Sequence, residues 1–494
     1  MVDGTGMVDR MIGERKRKSK RFKSVLAGLA FCMALTGCGC KEVSYDAFTE
    51  EVASESILQP VGTTLNEVSY AGEAAVVQEA EAVFTSEDGL CRIEKKPSYY
   101  EIYLDYTGGD YYAVGEAYGE TVKKLEVGYA EVLEPFLYEN IKSAFPNLNG
   151  DYSPVDERLQ NLLKGIPEEY RQEMEGFAKA MSDGRTGFEE DGKLSYEEAM
   201  IMHVVPDCLR GTNCNAFSAW GEKTETGDRI VSRTLEWNLG SENQMCTAHA
   251  VTHFKMPEGK NSYTTFAVLG MLDVLTAVND DKVFVGILDV GSYYDYVCEG
   301  KKCYTYELRY ALENMSDARI VGEYMVSESR NFTYSHNIII TDEKDSFVAE
   351  DCVIDETTVV EDDENPAEGI SVLRDKDTPL MDDLTWDSPD SLCVINSFMT
   401  EGNADQFTWS GGNYVRFSKY NTWVAEKDKL TVSDVKDIVN RETQDRDSQF
   451  QKLHSDMVFQ NIIYDYHTGE LDIAFTGTEG VVNHPRYVNI NIEY

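Results

Sequence analysis

The stretch GTNCNAFSAWGEKTETGDRIVSRTLEWN, Gly211 to Asn238, decides how this chain is read. CNAFSAWGEKT reads as a strand opening at Cys214, ETGD (Glu225 to Asp228) as a turn, and RIVSRTLEWN as the return strand. The return brings Arg233 and Glu236 back towards the thiol. A cysteine attacks as its thiolate, and a free thiol with a pKa of about 8.5 needs a neighbouring cation or base to reach that form. An arginine is such a cation. A cysteine at the start of a chain also carries its own base, an α-amine with a pKa of about 7.7–8.0. For Cys214 that requires cutting the peptide bond after Asn213. The thiol would attack the Asn213 carbonyl, form a thioester, and lose the upstream segment to water. Taken alone, the hairpin is equally read as an ordinary one that buries an unreactive cysteine.

Outward from the hairpin, the chain divides into two characters. Before it, YEIYLDYTG from Tyr99 alternates as a strand, and 111–143 and 156–181 carry helical periodicity. SYEE at 195–198 is an N-cap signal with a carboxylate three residues on. After it, strands dominate: 215–220, 229–237, 245–255, 263–269, 283–289, 336–341, 346–350, 392–396, 457–464 and 471–475. Helices are expected at 304–314, 316–328 and 432–441. Strands and helices in blocks predict a layered α+β architecture and not a doubly wound sheet. Residues 355–390 are acidic and proline-containing and read as a long insertion.

With 494 residues and 42% hydrophobic side chains, a large core can form. The balance of 45 basic against 88 acidic residues repels a nucleic acid and an anionic membrane surface. The basic residues cluster at the start, where MIGERKRKSKRFK (11–23) precedes the apolar run SVLAGLAFCMALT (24–36) and Gly37-Cys38. This is the layout of an export signal, too short to span a bilayer by itself. LTGC (35–38) resembles a bacterial lipobox, which implies acylation of Cys38 and attachment to the outer face of a cell membrane. Residues 38–95 then read as a flexible tether, with 11 acidic residues and one basic residue between Lys41 and Leu90. Segment 96–213 reads as a helical pro-segment, and 214–494 as the catalytic chain.

Several patterns carry less. His249 and His253 have a helical zinc spacing, but TAHAVTHF alternates as a strand. DGKLSYEE (191–198) resembles the end of a calcium loop whose first position would be Gly187, a residue with no side-chain ligand. Asn331 opens a nominal glycosylation sequon. Tyr293, Tyr294 and Tyr296 suit either pocket lining or packing. None of the eleven cysteines has CxxC spacing; Cys298 and Cys303 can pair or stay free.

The hairpin resembles the acyl-coenzyme A:6-aminopenicillanate acyltransferase-like family of cysteine N-terminal-nucleophile (Ntn) hydrolases, relatives of choloylglycine hydrolase and penicillin V acylase. Their nucleophilic cysteine is followed by a glycine turn and an Arg/Gln-Asn-x-Asp-Trp/Phe element, here RTLEW. Six further segments follow the family in order: the helical pair 108–120 and 166–181, FAVLGMLDVLTAVNDDKVFVGILDVG (266–291), SHNIIITDEKDSFVAED (335–351), CVINSFMTEG (393–402), NYVRFSKY (413–420) and LHSDMVFQNIIYDYHTGELDIAF (453–475). The resemblance covers about 97–494. It implies a four-layer αββα sandwich with an N-terminal helical segment, no cofactor, and a small N-acyl amide as substrate. Cys214 would be the nucleophile and, through its freed amine, the base, after cleavage between Asn213 and Cys214. Arg233 would orient the thiolate or the substrate carbonyl. Glu236 would contact the α-amine. The Asp289 backbone N–H and the Asn396 amide would form the oxyanion hole, and Arg416 would complete the polar network. The family has Asp where Glu236 stands and often Gly where Asn213 stands. Two other functions stay open: a lipid hydrolase resembling the phospholipase B-like branch, and a lipoprotein that captures a substrate without turning it over.

Overall fold

A computed structural model of the chain describes residues 69–125, 127–209, 213–291, 296–328, 332–353, 371–381, 384–401, 403, 411–441 and 451–492. The signal segment, Cys38, Tyr293, Tyr294 and Asn331 lie outside them. Sixteen strands are described. They are β1 Ala82–Thr85, β2 Cys91–Lys95, β3 Tyr100–Asp105, β4 Asn213–Ala219, β5 Ile230–Glu236, β6 His249–Lys255, β7 Tyr263–Val268 and β8 Thr276–Asn279, followed by β9 Phe284–Asp289, β10 His336–Thr341, β11 Ser346–Asp351, β12 Ser371–Arg374, β13 Ser391–Val394, β14 Val458–Asp465, β15 Leu471–Phe475 and β16 Val488–Ile490. Together with ten α-helices they form a mixed α/β fold with two sheets.

One sheet has ten strands in the order β1-β2-β3-β6-β7-β8-β9-β10-β11-β12, and the other has six in the order β13-β4-β5-β14-β15-β16. The β3–β6 pair is parallel and the other neighbours are antiparallel. The central strands are buried along their whole length. IVSRTLE in β5 and FVGILD in β9 have no exposed position. That is why FVGILD reads as a near-continuous apolar run and not as half-exposed alternation. β4 and β9 touch across the two sheets, which brings the hairpin of Cys214 against the strand that ends in Asp289.

Helices cover both sheets. Helix α1 (Tyr111–Val122) packs on β2 and β3 and against α4 (Glu168–Ser182). The approach is close because Gly115, Gly119 and Gly176 lie where a Cβ would overlap the facing backbone; at Gly115 it would stand 1.9 Å from the Glu173 oxygen. Helix Ala318–Glu328 packs on β10, β11 and β12. Helices Gly411–Ala425 and Val432–Val439 lie on the six-stranded sheet, against β13 and against β5 and β14 respectively. The capping box foreseen at Ser195 and Glu198 is present. No helix among the described residues is long and apolar enough to cross a membrane.

Five features depart from the reading of the sequence. The folded body begins before residue 96: Tyr70 is buried, Val76 bridges Val488, and β1 and β2 lie inside the region read as tether. Four- and five-residue strands in an acidic run are too short to give a periodic signal, and their order comes from pairing with β3. Segment 96–213 is helical apart from β3, the strand expected from Tyr99, and the first residue of β4, Asn213. Part of the 355–390 insertion is sheet, with β12 paired to β11 and Arg374 ion-paired to Glu350 at 2.8 Å. The hairpin turn is longer than ETGD, because β4 ends at Ala219 paired with Ile230. Finally, Gly411–Ala425 is a helix although GGNYVRFSKYNTWVA is rich in weak helix formers, and packing on the sheet outweighs that propensity.

The decoy residues have structural partners. His249 Nε2 meets the Thr476 carbonyl, and His253 meets Thr264 Oγ1 and Glu101. The loop at Asp191–Lys193 turns three backbone N–H groups onto the carboxylate of Glu134. Among the described residues no group of three or more His, Cys, Asp and Glu is arranged to hold a metal.

Candidate active site

In β4, Cys214 stands opposite Leu235 and Asn213 opposite Glu236. Side chains alternate along a strand, so Arg233 and Leu235 project to the thiol's face of the sheet and Glu236 to the other. Arg233 reaches Cys214 diagonally across the pair, a distance a long side chain spans. Its Nη2 lies 3.2 Å from Cys214 Sγ and donates to the Ile287 carbonyl at 2.6 Å. The guanidinium is fully buried between the sheets. Room for it comes from Gly286 in β9, where a Cβ would lie 2.7 Å from Arg233 Cγ and 3.2 Å from Nε. A lone glycine inside an apolar strand pattern is a signal of close approach, and here it marks the arginine's seat. Gly286→Ala is expected to displace Arg233 and, at about 1–3 kcal/mol of overpacking, to lower Tm and slow alkylation of Cys214 by iodoacetamide relative to the parent chain.

The backbone of Cys214 is held from the opposite side. Its N–H donates to Asn396 Oδ1 at 2.7 Å, and its carbonyl accepts from Arg416 Nη2 at 2.6 Å. Arg416 comes from helix Gly411–Ala425, where Asn413 stands one turn earlier. Asn413 Nδ2 donates to the Asn396 carbonyl at 3.0 Å and to Ser397 Oγ at 2.8 Å. Arg416 also pairs with Glu236 Oε2 at 2.7 Å and donates through Nη1 to Asn396 Oδ1 at 3.1 Å. Ser455 donates to the other oxygen of Glu236. Asn396 Nδ2 donates to the Asp289 carbonyl at 2.7 Å, and the Asp289 carboxylate accepts from Tyr304 OH at 3.2 Å.

Burial pushes the Cys214 thiol up, and the Arg233 guanidinium and the backbone N–H of Glu236 pull it back down. Burial likewise raises the Glu236 carboxyl, opposed by Arg416 and the Ser455 hydroxyl. The thiol is wholly buried in the intact chain, and its polar neighbour is the guanidinium expected from the hairpin.

All six residues singled out, Cys214, Arg233, Glu236, Asp289, Asn396 and Arg416, thus come together, from β4, β5, β9, the end of β13 and one helix. Two contacts differ from expectation. The Glu236 carboxylate, one methylene longer than aspartate and on the far face of its strand, is taken up by Arg416 and Ser455, while the Cys214 nitrogen is served by Asn396. One of the two Asn396 amide N–H groups is taken by the Asp289 carbonyl. Ser455, Asn413, Tyr304 and Gly286 went unrecognised in the sequence. Of these, Gly286 carried a legible signal.

No family model matches the chain, and no curated protein matches it. Among solved structures it is similar, at low superposition, to a Caenorhabditis elegans N-acylethanolamine-hydrolyzing acid amidase ortholog, with 12% identity over 51% of this chain and 92% of that one and a TM-score of 0.34. It is similar to a variant of conjugated bile acid hydrolase from Clostridium perfringens, with 12% identity, 56% and 93% coverage and a TM-score of 0.35. It is similar to penicillin V acylase from Agrobacterium tumefaciens, with 12% identity, 53% and 83% coverage and a TM-score of 0.30.

Proposed function

We propose that this chain is a self-processing cysteine amidase of αββα Ntn-hydrolase architecture that cleaves a linear amide through a thioester on Cys214. One observation carries the reading: every polar atom of Cys214 has a dedicated partner, Asn396 on the nitrogen, Arg416 on the carbonyl and Arg233 on the sulfur. Buried backbone groups need partners in any fold, but a thiol that only fills space needs no guanidinium, since it behaves as a small apolar group; the Arg233 contact at 3.2 Å is the distinguishing one.

In the intact chain the Cys214 nitrogen is an amide and cannot act as a base. Once the bond after Asn213 is cut, that nitrogen becomes an amine beside Asn396 Oδ1. It takes the thiol proton, and the thiolate stays paired with Arg233. The sulfur attacks the substrate carbonyl, the leaving amine takes the proton back, and water hydrolyses the thioester. Burial is the largest cause raising the thiol in the uncut chain, and parting of the two chain ends at the cut would relieve it. Transfer to an amine in place of water is a variant of the same chemistry. Export and acylation at Cys38 would hold the enzyme on the outer face of the membrane, with the three N-terminal strands keeping the cut segment in the larger sheet.

Expression of residues 41–494 followed by mass measurement tests this. Two fragments meeting between Asn213 and Cys214, with turnover of one or more N-acyl amino acids, are expected. A single unbroken chain that hydrolyses none of them would defeat the proposal and leave substrate capture in its place.

A further inference from the structure

Asn396 serves the nitrogen of Cys214, and two further residues hold Asn396 in turn. Resting on the amidase reading, we infer that Asn337 and Glu350, on the buried inner face of the ten-stranded sheet, are positioning residues that set the Asn396 side chain against Cys214.

Asn396 stands just past the end of β13, the edge strand of the six-stranded sheet. The ladder of β13 to β4 ends at Val394. From Ile395 onward the buried backbone groups need partners elsewhere, and the other sheet supplies them. Asn337 Nδ2 donates to the Ile395 carbonyl at 2.9 Å and to the Ser397 carbonyl at 3.0 Å. A side-chain amide has two N–H groups, and here one goes to the carbonyl on each side of Asn396. Glu350 accepts from the Met399 N–H at 3.0 Å through Oε1 and from the Thr400 N–H at 3.2 Å through Oε2. Its Oε1 also accepts from Arg374 Nε at 2.8 Å, and Arg374 Nη2 donates to the Cys393 carbonyl at 2.8 Å. Three side chains of the ten-stranded sheet thus tie down five peptide groups between Cys393 and Thr400.

Register explains why the two act together. Asn337 in β10 stands directly opposite Glu350 in β11 and opposite Leu288 in β9, and residues directly opposite share a face. Asp289, the residue after Leu288, gives its backbone carbonyl to Asn396 Nδ2 at 2.7 Å. Three neighbouring strands therefore meet the Asn396 segment in turn. An amide and a carboxylate on a fully buried sheet face are costly unless bonded, and both are spent on the one segment that carries Asn396. Asn337 Oδ1 meets no donor among the described residues, so the nitrogen is what the position uses. Holding the peptide groups on both sides of Asn396 fixes the direction in which its side chain leaves the backbone. Oδ1 then meets the Cys214 N–H at 2.7 Å and Arg416 Nη1 at 3.1 Å. Asn337 and Glu350 bond to the Asn396 segment and not to Cys214 itself, so their influence on the nucleophile passes through Asn396.

The test asks whether the two residues act through Asn396. Asn337→Asp keeps the shape and turns an oxygen, in place of the donor nitrogen, onto two carbonyl oxygens. Glu350→Gln keeps the shape and sets an NH₂ group against at least one of the N–H donors. For the processed full-length enzyme, kcat and KM for an N-acyl amide and the melting curve are measured in these variants, in Asn396→Ala, and in each double variant with Asn396→Ala. Each of the two single substitutions is expected to lower kcat roughly 100-fold, the scale of an ångström's misplacement, with KM little changed. In the Asn396→Ala background they are expected to lower kcat no further, while their effect on Tm persists. Losses of kcat that add in the double variants would overturn the assignment, and so would the parent's kcat in both single variants. Where a substitution blocks processing, crystal structures of the uncut chain carry the test, with Asn337→Ser, which keeps one O–H donor, as the second variant should Asn337→Asp not fold. Asn396 Oδ1 is expected to leave hydrogen-bond distance of the Cys214 N–H in Asn337→Asp and to shift less in Asn337→Ser. An Asn396 still seated on that N–H in Asn337→Asp, or in both Asn337→Ser and Glu350→Gln, would overturn the assignment too. The crystal structures need no turnover, so a parent protein that hydrolyses no amide speaks against the amidase reading while they decide the positioning.

Discussion

Cys214→Ala is expected to leave the chain uncut between Asn213 and Cys214 and to lower amide hydrolysis by at least about 10⁴-fold, the scale on which removing a nucleophile acts. Both effects follow from one atom. The sulfur is the group that would attack the Asn213 carbonyl during processing and the substrate carbonyl afterwards, and among the described residues no second thiol bonds to Arg233 Nη2. The substitution should not unfold the protein. A methyl group replaces the thiol in a buried site, and Arg233 keeps its 2.6 Å bond to the Ile287 carbonyl. A change in Tm equivalent to about 1 kcal/mol or less is expected. Intact mass, activity and a melting curve on one preparation check this. Processing that persisted in the alanine variant would mean that the cut is made elsewhere or by another protein, and that the role given to Cys214 is mistaken.

The second large effect is on stability. Arg416 and Glu236 are a wholly buried pair, at 2.7 Å. Arg416→Met removes the charge while filling much of the volume, and leaves the Glu236 carboxylate with the Ser455 hydroxyl and the more distant charge of Arg233. Stranding one member of a buried ion pair costs about 3–5 kcal/mol, a large part of the 5–15 kcal/mol that holds a domain together. It also frees the carbonyl of Cys214, so slower processing should accompany the loss. The pH dependence has a definite sign. Burial already raises the Glu236 carboxyl, and losing Arg416 removes the largest influence opposing that. A carboxyl whose pKa is raised by folding binds a proton more readily in the native state than in the unfolded one. The native state is then penalised as pH rises above the ordinary carboxylate range, and the penalty fades as pH falls towards it. The destabilisation by Arg416→Met, measured by denaturant unfolding, should be larger at pH 8 than at pH 5. Adding Glu236→Gln should restore part of the loss and flatten the pH dependence. A loss that stays the same at both pH values would show that lost packing by the arginine stem, and not the stranded charge, sets the effect.

How much of this could be read in advance follows the physical range of each signal. The hairpin at 213–236 was legible because strand alternation and a glycine turn are local, and the return strand carried Arg233 at a spacing that pairing alone brings near Cys214. The buried strands β9, β10 and β14 were legible as short apolar runs. β1, β2 and β12 were not, because four or five residues in acidic surroundings show no period until a partner strand is present. The helix carrying Arg416 was also hidden: its residues are poor helix formers, and the six-stranded sheet beneath it supplies the stabilisation. Glu236 was placed on the right strand, while its partners in the uncut chain, Arg416 and Ser455, lie far along the sequence and are brought to it only by packing.

From the order of residues alone came a thiol at the head of a strand, an arginine returning to it, an acidic body and a leader with the parts of an export signal. These are properties of contiguous segments, fixed by backbone periodicity, turn chemistry and composition. Which groups meet the backbone nitrogen and carbonyl of Cys214 was decided only when the end of β13 and one helix were brought within 3 Å of β4. Hydrogen bonds act over that distance alone, and residues 182 and 202 positions further along the chain reach it only through packing of the two sheets.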